Sequence, residues 1–225
     1  MGEYIINGGR QLSGEIVLSG AKNAALPLIA ASLLTRGTVI HNCPRLSDTF
    51  VSVDILREMG CSCYFTQNVL ICEPYGLNNY KISEELCSKM RSSVTFLGAL
   101  LGRYGYAEIY HPGGCVLGSR PIDIHLDALK DMGVDIREEG NRVICRGKPH
   151  GANITLRYPS VGATENIILA ATLAKGVTRL KNCAREPEIA ELASFLNGAG
   201  AHISGAGEHE IVITGADSLD RCEHT

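Results

Sequence analysis

The sequence predicts an α/β fold in which one supersecondary unit occurs three times, with helices inside and sheets outside. Three observations carry this. The passages AALPLIAASLLTRGTVIHNC, SSVTFLGALLGRYGYAEIYHPGGC and TENIILAATLAKGVTRLKNC each join a nearly all-apolar helical stretch to a short β-branched run. Each is followed by an amphipathic helical segment that stops at a glycine, Gly60, Gly133 or Gly200, as helices with a C-terminal glycine do. Each unit then closes on a strand-length apolar run, in NVLICEP, NRVICRG and HEIVITG. The spacing of about 70 residues suits a whole supersecondary unit better than a solenoid repeat.

Taken in order, residues 1–20 stand before the repeats and contain a strand-like run, Glu15 to Leu18, expected to pair with something beyond this chain. The first unit, at about 21–75, holds the helix LPLIAASLL, a strand at Thr38 to Ile40, a helix bearing Val53, Ile55, Leu56 and Met59, and a strand at Val69 to Cys72. The second, at about 85–148, holds FLGALL, a helix bearing Leu126, Leu129 and Met132, and a strand at Arg142 to Cys145. The third, at about 152–216, holds IILAATLA, a helix bearing Ile189, Leu192 and Leu196, and a strand at Glu210 to Thr214. A helix apolar on every side belongs in an interior. That arrangement reverses a β/α barrel, whose helices cover the sheet. The last residues, GADSLDRCEHT, are polar and show no closing element, so the chain is expected to stop at a domain crossover.

Composition narrows the function. With 225 residues, 45% hydrophobic and 20% charged, the chain reads as globular rather than disordered or coiled-coil. A net charge of -3 supplies no field for nucleic acid or an anionic membrane, so an anionic ligand needs a local cluster of cations. The apolar stretch Ala24 to Leu34 is interrupted by Pro27 and Ser32 and falls well short of the ~20 residues that span a bilayer. The first residues carry no basic segment followed by an apolar one, which makes the cytosol the expected compartment. Nine cysteines without a C-x-x-C pair read as reduced thiols and mostly as small buried hydrophobes, not as disulfides or a zinc site. No cofactor or metal is called for.

Chemistry concentrates in HPGGCVLGSRPIDIHLDALK, His111 to Lys130. Its glycines and prolines describe a loop around Cys115. Arg120 and His111 nearby favour a thiolate; the plainer reading is that Cys115 only ends a strand, as Cys43 and Cys183 do in the sister units. At the first helix start, SGAKNAAL places Lys22 and Asn23 where free N–H groups and a cation form a phosphate seat. The matching starts are MRSS, with Arg91, and SVGATEN, with Ser160, Val161 and Gly162. Threefold packing would bring them to one anion-binding end. Asp123 is either a helix N-cap or an acceptor for a sugar or base. Arg185, Glu186 and Glu188 read as a surface charge cluster or as a counterpart of the cysteine loop.

These segments resemble one family. SGAKNAALPL, HNCPRLSD, MRSSVTFLGALLGR, the PGGC-x-x-G-x-RP-x-D-x-H loop, SVGATENI and AREPEI are similar to the enolpyruvyl transferases that act on UDP-N-acetylglucosamine. The resemblance implies an inside-out α/β barrel of three βαβαββ-type units and transfer of the enolpyruvyl group of phosphoenolpyruvate to the sugar 3′-hydroxyl in peptidoglycan synthesis. It implies that Cys115 is the acid that protonates the methylene carbon and the thiol that fosfomycin alkylates. Lys22, Asn23 and Arg120 match phosphoenolpyruvate positions. Arg91, the stretch Arg120, Pro121, Ile122, Asp123, Ile124 and His125, and Ser160 to Gly162 match nucleotide-sugar positions. Tyr158 stands where some members carry a lysine. Complete members are about twice as long, and their N-terminal strand belongs to a second barrel that supplies a catalytic aspartate and further arginines. Two other readings are a 5-enolpyruvylshikimate-3-phosphate synthase-like transferase, against which Cys115 argues, and a non-catalytic nucleotide-sugar binding module.

Overall fold

The computed structural model of the chain describes residues 3–113 and 122–225. In the first unit, helix α1 (Lys22–Ala31) runs through a 3-10 turn into strand β1 (Thr38–Ile40), helix α2 (Ser47–Glu58) and the hairpin β2 (Ser62–Thr66) and β3 (Val69–Glu73). The second opens with a short helix, α3 (Glu84–Lys89), and a 3-10 turn at Arg91–Thr95. It continues with α4 (Phe96–Tyr104), β4 (Tyr106–Tyr110), α5 (Asp123–Asp131), β5 (Asp135–Glu139) and β6 (Arg142–Arg146). The third runs β7 (Asn153–Thr155), α6 (Val161–Thr172), β8 (Val177–Lys181), α7 (Pro187–Gly198), β9 (His202–Ser204) and β10 (Glu210–Thr214), and β11 (Cys222–His224) follows it. Helix α3 is not expected from the apolar pattern, because it shows no full helical period; the helix start expected at Arg91 is found and opens as a 3-10 turn.

The glycines that stop α2, α5 and α7 do so by one mechanism. Gly60, Gly133 and Gly200 lie at φ +98°, +85° and +101°, the left-handed region that costs a side chain but not glycine. Just beyond each, an amide reaches back: Cys61 N–H to Leu56 C=O at 2.9 Å, Val134 to Leu129 at 3.2 Å, and Ala201 to Leu196 at 3.0 Å. This 6→1 bond satisfies a carbonyl that the helix end would leave bare.

The strands form three sheets, ordered β11-β1-β3-β2, β4-β6-β5 and β7-β8-β10-β9. The first and third share a pattern, an edge strand parallel to the strand that follows the buried helix, then an antiparallel hairpin. The second approaches it through a parallel bridge between Lys81 and Glu108. Strands such as β2, β8 and β10 bury alternate side chains, as expected of sheets with one solvated face. Two expectations change here. The C-terminal segment does contain a closing element: Cys222, Glu223 and His224 pair in parallel with Thr38, Val39 and Ile40, so the end of the chain completes the sheet of the first unit. Three polar-flanked residues show no periodicity, and only the open edge of β1 makes them a strand. Second, the sheets are separate and none closes on itself among the described residues, so the coarser expectation of an α/β fold is met and a closed barrel is not observed.

Helices α1, α4 and α6 form the interior; α6 is buried from Ala163 to Thr172 and α4 from Phe96 to Gly102. Helices α4 and α6 meet closely because α4 carries glycines four residues apart. A Cβ on Gly98 would stand 2.2 Å from the carbonyl oxygen of Asn166, and one on Gly102 2.9 Å from that of Leu169. The eight described cysteines are free and buried, in keeping with their reading as small core residues. No helix among the described residues is long and apolar enough to cross a membrane. Glu15 to Leu18 forms no ladder among the described residues, and Ile16, Val17 and Leu18 are 87%, 95% and 78% exposed.

Candidate active site

The starts of the three buried helices open on one cleft of about 890 Å³. Lys22 and Asn23 enter from the first turn of α1, Arg91 from the 3-10 turn before α4, and Ser160, Val161 and Gly162 from the start of α6. Ser160 caps α6, its Oγ accepting the Ala163 N–H at 3.3 Å, which leaves the amides of Val161 and Gly162 at the helix mouth. Asp123, Ile124 and His125 line the facing wall from the first turn of α5. Threefold packing thus brings residues some 140 positions apart in sequence into one cavity, as the repeat pattern predicts.

The wall from α5 is held by charge. Arg157, one residue before Tyr158, ion-pairs through Nη2 with Asp123 and lies 3.7 Å from Asp127. The guanidinium bond holds the Asp123 carboxyl below the usual carboxylate range. Asp123 is not the N-cap: Ile122 occupies that place, and Asp123 is the first helical residue, accepting the Ile124 N–H at 2.9 Å. Behind it His125 is buried, with Nδ1 2.8 Å from Nδ2 of Asn166. Burial first, then the Arg91 charge, pushes the imidazole pKa down to about 4, against a smaller opposite pull from Asp123.

The opposite wall carries the acids Glu165, Glu188 and Asp48. Glu165 on α6 is 7% exposed and faces Thr95 Oγ1 at 3.5 Å. Burial, assisted by the negative charge of Glu188, raises its pKa to about 8, so it is predominantly protonated at neutral pH. Glu188 accepts from Asn23 Nδ2 at 3.5 Å, and Lys22 Nζ pairs with Asp48 at 3.1 Å. Glu165 does leave a signal in the sequence: it is an ionisable residue in the otherwise apolar run GATENIILAATLA, and such residues are almost never buried without a reason. Asp48 and Arg157 carry no comparable signal, because only packing brings them to the cleft.

The remaining expected residues fall elsewhere. Cys115, Arg120 and Pro121 lie outside the described residues. Ile122 is buried beneath the wall, 3% exposed, and serves packing. His111 pairs with Glu138 at 3.2 Å at the rim of the second sheet. Glu186 and Glu188 reach the cleft, whereas Arg185 turns to His209 at 3.3 Å. Three of the described thiols are poor nucleophiles: burial pushes Cys43 up to about 11 and Cys61 and Cys145 up to about 12, and the thiolate is the reactive form.

Known proteins share this sequence and fold. The sequence profile of the family described as EPSP synthase (3-phosphoshikimate 1-carboxyvinyltransferase) matches residues 6–225. The chain is 47% identical over 227 residues to UDP-N-acetylglucosamine 1-carboxyvinyltransferase 2 of Caldanaerobacter subterraneus, covering 100% of this chain and 54% of that protein. It is 41% identical to UDP-N-acetylglucosamine 1-carboxyvinyltransferase of Psychromonas ingrahamii with the same coverage. The chain therefore spans about half the length of the relatives it matches. Among solved structures, the enolpyruvyl transferase NikO from Streptomyces tendae superposes with a TM-score of 0.83 at 24% identity, over 97% of this chain and 52% of that one. EPSP synthase from Acinetobacter baumannii gives 0.74 at 18%, over 93% and 49%. At these identities the likeness is one of fold.

Proposed function

Because the chain belongs to the EPSP synthase family of enolpyruvyl transferases, we propose that it forms the half of a UDP-N-acetylglucosamine enolpyruvyl transferase that binds the nucleotide sugar and phosphoenolpyruvate. The observation that carries this reading is the gathering of Lys22, Asn23, Arg91, Asp123, His125 and Ser160 to Gly162 around one cleft, in a chain 47% identical to a protein of that name. In the proposed reaction the sugar 3′-hydroxyl oxygen bonds to C2 of phosphoenolpyruvate and gives its proton to a base such as the aspartate that the relatives' other half would supply, while C3 gains a proton from the Cys115 thiol. The resulting thiolate then takes a proton back from C3, and the C–H electron pair re-forms the double bond as phosphate leaves C2. Lys22 and Arg120 offset the phosphate and carboxylate charge, which helps most where it is preorganised. The reaction would be the first committed step of peptidoglycan synthesis, in the cytoplasm, and so bear on cell wall, shape and division.

The three units, packed with buried helices and outward sheets, would make one inside-out barrel domain over 21–225. The relatives' other half would supply a second barrel, and the exposed segment before Gly20 would join it. A 5-enolpyruvylshikimate-3-phosphate synthase-like activity is the nearest alternative. Calorimetric titration separates them: UDP-N-acetylglucosamine should bind and shikimate 3-phosphate should not. A non-catalytic nucleotide-sugar module is the second alternative, and fosfomycin tests it. Intact mass should show a single adduct, faster with the sugar nucleotide and lost in Cys115→Ser. No adduct, or one that survives that substitution, refutes the assignment.

A further inference from the structure

The carboxamide of Asn166 lies fully buried on α6, and its orientation admits one solution. Its Oδ1 accepts the Gly98 N–H at 2.7 Å, and its Nδ2 donates to the Val94 carbonyl at 2.9 Å. A backbone amide only donates and a carbonyl only accepts, so the side chain cannot be turned round. The second N–H of Nδ2 then meets Nδ1 of His125 at 2.8 Å, which must present a lone pair. A neutral imidazole with its lone pair on Nδ1 carries its proton on Nε2. Protonating Nδ1 would set two donors against each other.

The other edge of the ring faces the cleft. A Cβ on Gly162 would stand 3.0 Å from Cε1 and 3.4 Å from Nε2 of His125, so glycine at the helix mouth leaves room for that edge. Among the described residues Nε2 has no hydrogen-bond partner, and Ser93 Oγ is the one sealed-off polar side-chain atom without one. Within the described residues Nε2 is therefore available to a ligand. The charges that bear on the ring are Arg91, against its cation, and Asp123, in favour of it; Lys22, Arg157, Glu165 and Glu188 line the same cleft.

We propose that Asn166 is a positioning residue that holds His125 as a neutral Nε2–H donor, so that the cleft recognises an acceptor oxygen at this point and disfavours a donor. The proposal rests on the proposed function, in which the cleft takes a nucleotide sugar; the acceptor would be a carbonyl or phosphate oxygen of that ligand. It follows that binding is insensitive to histidine titration between about pH 5.5 and 8, where an ordinary imidazole changes charge.

The test is a side-chain ¹H–¹⁵N correlation spectrum of the ¹⁵N-histidine-labelled chain across that pH range, with and without UDP-N-acetylglucosamine. The expected result is a His125 ring protonated on Nε2 only, unchanged with pH, with the Nε2–H resonance moving on ligand addition. In Asn166→Asp the new carboxylate accepts from Nδ1–H, so the ring titrates and Nε2 loses its proton on the alkaline side. Nucleotide-sugar affinity should then fall about tenfold or more from pH 5.5 to pH 8 beyond any fall in the parent, whose own change over that range would report Glu165 ionising in the same cleft. An Nδ1–H or imidazolium ring in the parent at neutral pH overturns the proposal, and that spectrum decides even if the variant fails to fold. An unchanged tautomer and pH profile in a folded Asn166→Asp chain overturns it too. Calorimetric binding of UDP-N-acetylglucosamine without a response at Nε2 overturns the donor role, whereas no calorimetric binding at all overturns the functional reading while the spectrum still decides the tautomer.

Discussion

Nζ of Lys22 lies 3.1 Å from Oδ2 of Asp48, joining the first turn of α1 to the first turn of α2 at the edge of the cleft. The side chains are 46% and 30% exposed, and such pairs contribute only about 0.2–1 kcal/mol. Lys22 can therefore exchange its partner for a ligand phosphate at little cost. Asp48→Asn should lower stability by less than about 1 kcal/mol, measured by urea unfolding. Lys22→Ala should weaken phosphoenolpyruvate binding about tenfold or more, since a charge-assisted hydrogen bond contributes about 1.5–3 kcal/mol. Calorimetry with the sugar nucleotide present measures it, and unchanged affinity would remove Lys22 from the site.

Glu165 makes stability depend on pH with a defined sign. Its folded pKa is raised, from 4.5 to about 8, so the native state holds a proton that the unfolded chain releases. Its contribution is full below about pH 4.5 and declines as pH rises through about 8. Glu165→Gln should match the parent near pH 4.5 and exceed it by about 2 kcal/mol or more at pH 8.5, at ~1.4 kcal/mol per pKa unit. Thermal melts at the two values check this; a constant difference between the proteins would place the ionisation elsewhere.

Gly98 should not tolerate a methyl group. Alanine in mid-helix gains about 1 kcal/mol of helix propensity over glycine. Its Cβ would meet the Asn166 carbonyl oxygen at 2.2 Å, and neither backbone can yield without parting α4 from α6. Gly98→Ala is expected to cost about 2 kcal/mol or more net. Gly102→Ala, whose nearest contact is 2.9 Å, should cost less. Urea midpoints of the two variants give the order.

Removing residues 222–225 tests the closing strand. The deletion takes buried Cys222 from the core, breaks the 2.6 Å contact of His224 with Glu191 and strips β1 of its parallel partner. We expect a loss of about 2–4 kcal/mol and self-association through the bared edge of β1. A melting temperature and sedimentation profile equal to the parent's would show that β11 adds nothing.

Elements with a strong local signature are legible in the amino-acid order itself. The apolar helices, the glycine stops at Gly60, Gly133 and Gly200, and the strands at Thr38 to Ile40 and Glu210 to Thr214 are found where the pattern puts them. Periodicity and left-handed glycine are properties of a few consecutive residues, so sequence carries them. Lys22, Arg91 and Ser160 are legible as helix starts for the same reason.

Pairing across the molecule is decided elsewhere. Strand β11 exists because β1 has an open edge, Arg157 reaches the cleft because Asp123 faces it, and Glu165 stays protonated because α6 is enclosed by its neighbours. Each depends on groups far apart in sequence and on water being excluded between them. Sequence alone determined which elements form and which side chains stand at their ends; the tertiary packing determined their partners, their protonation and the direction in which His125 presents its proton. Local dihedral preference acts over one or two turns, whereas desolvation and hydrogen-bond polarity are set by whatever the fold brings within a few ångströms.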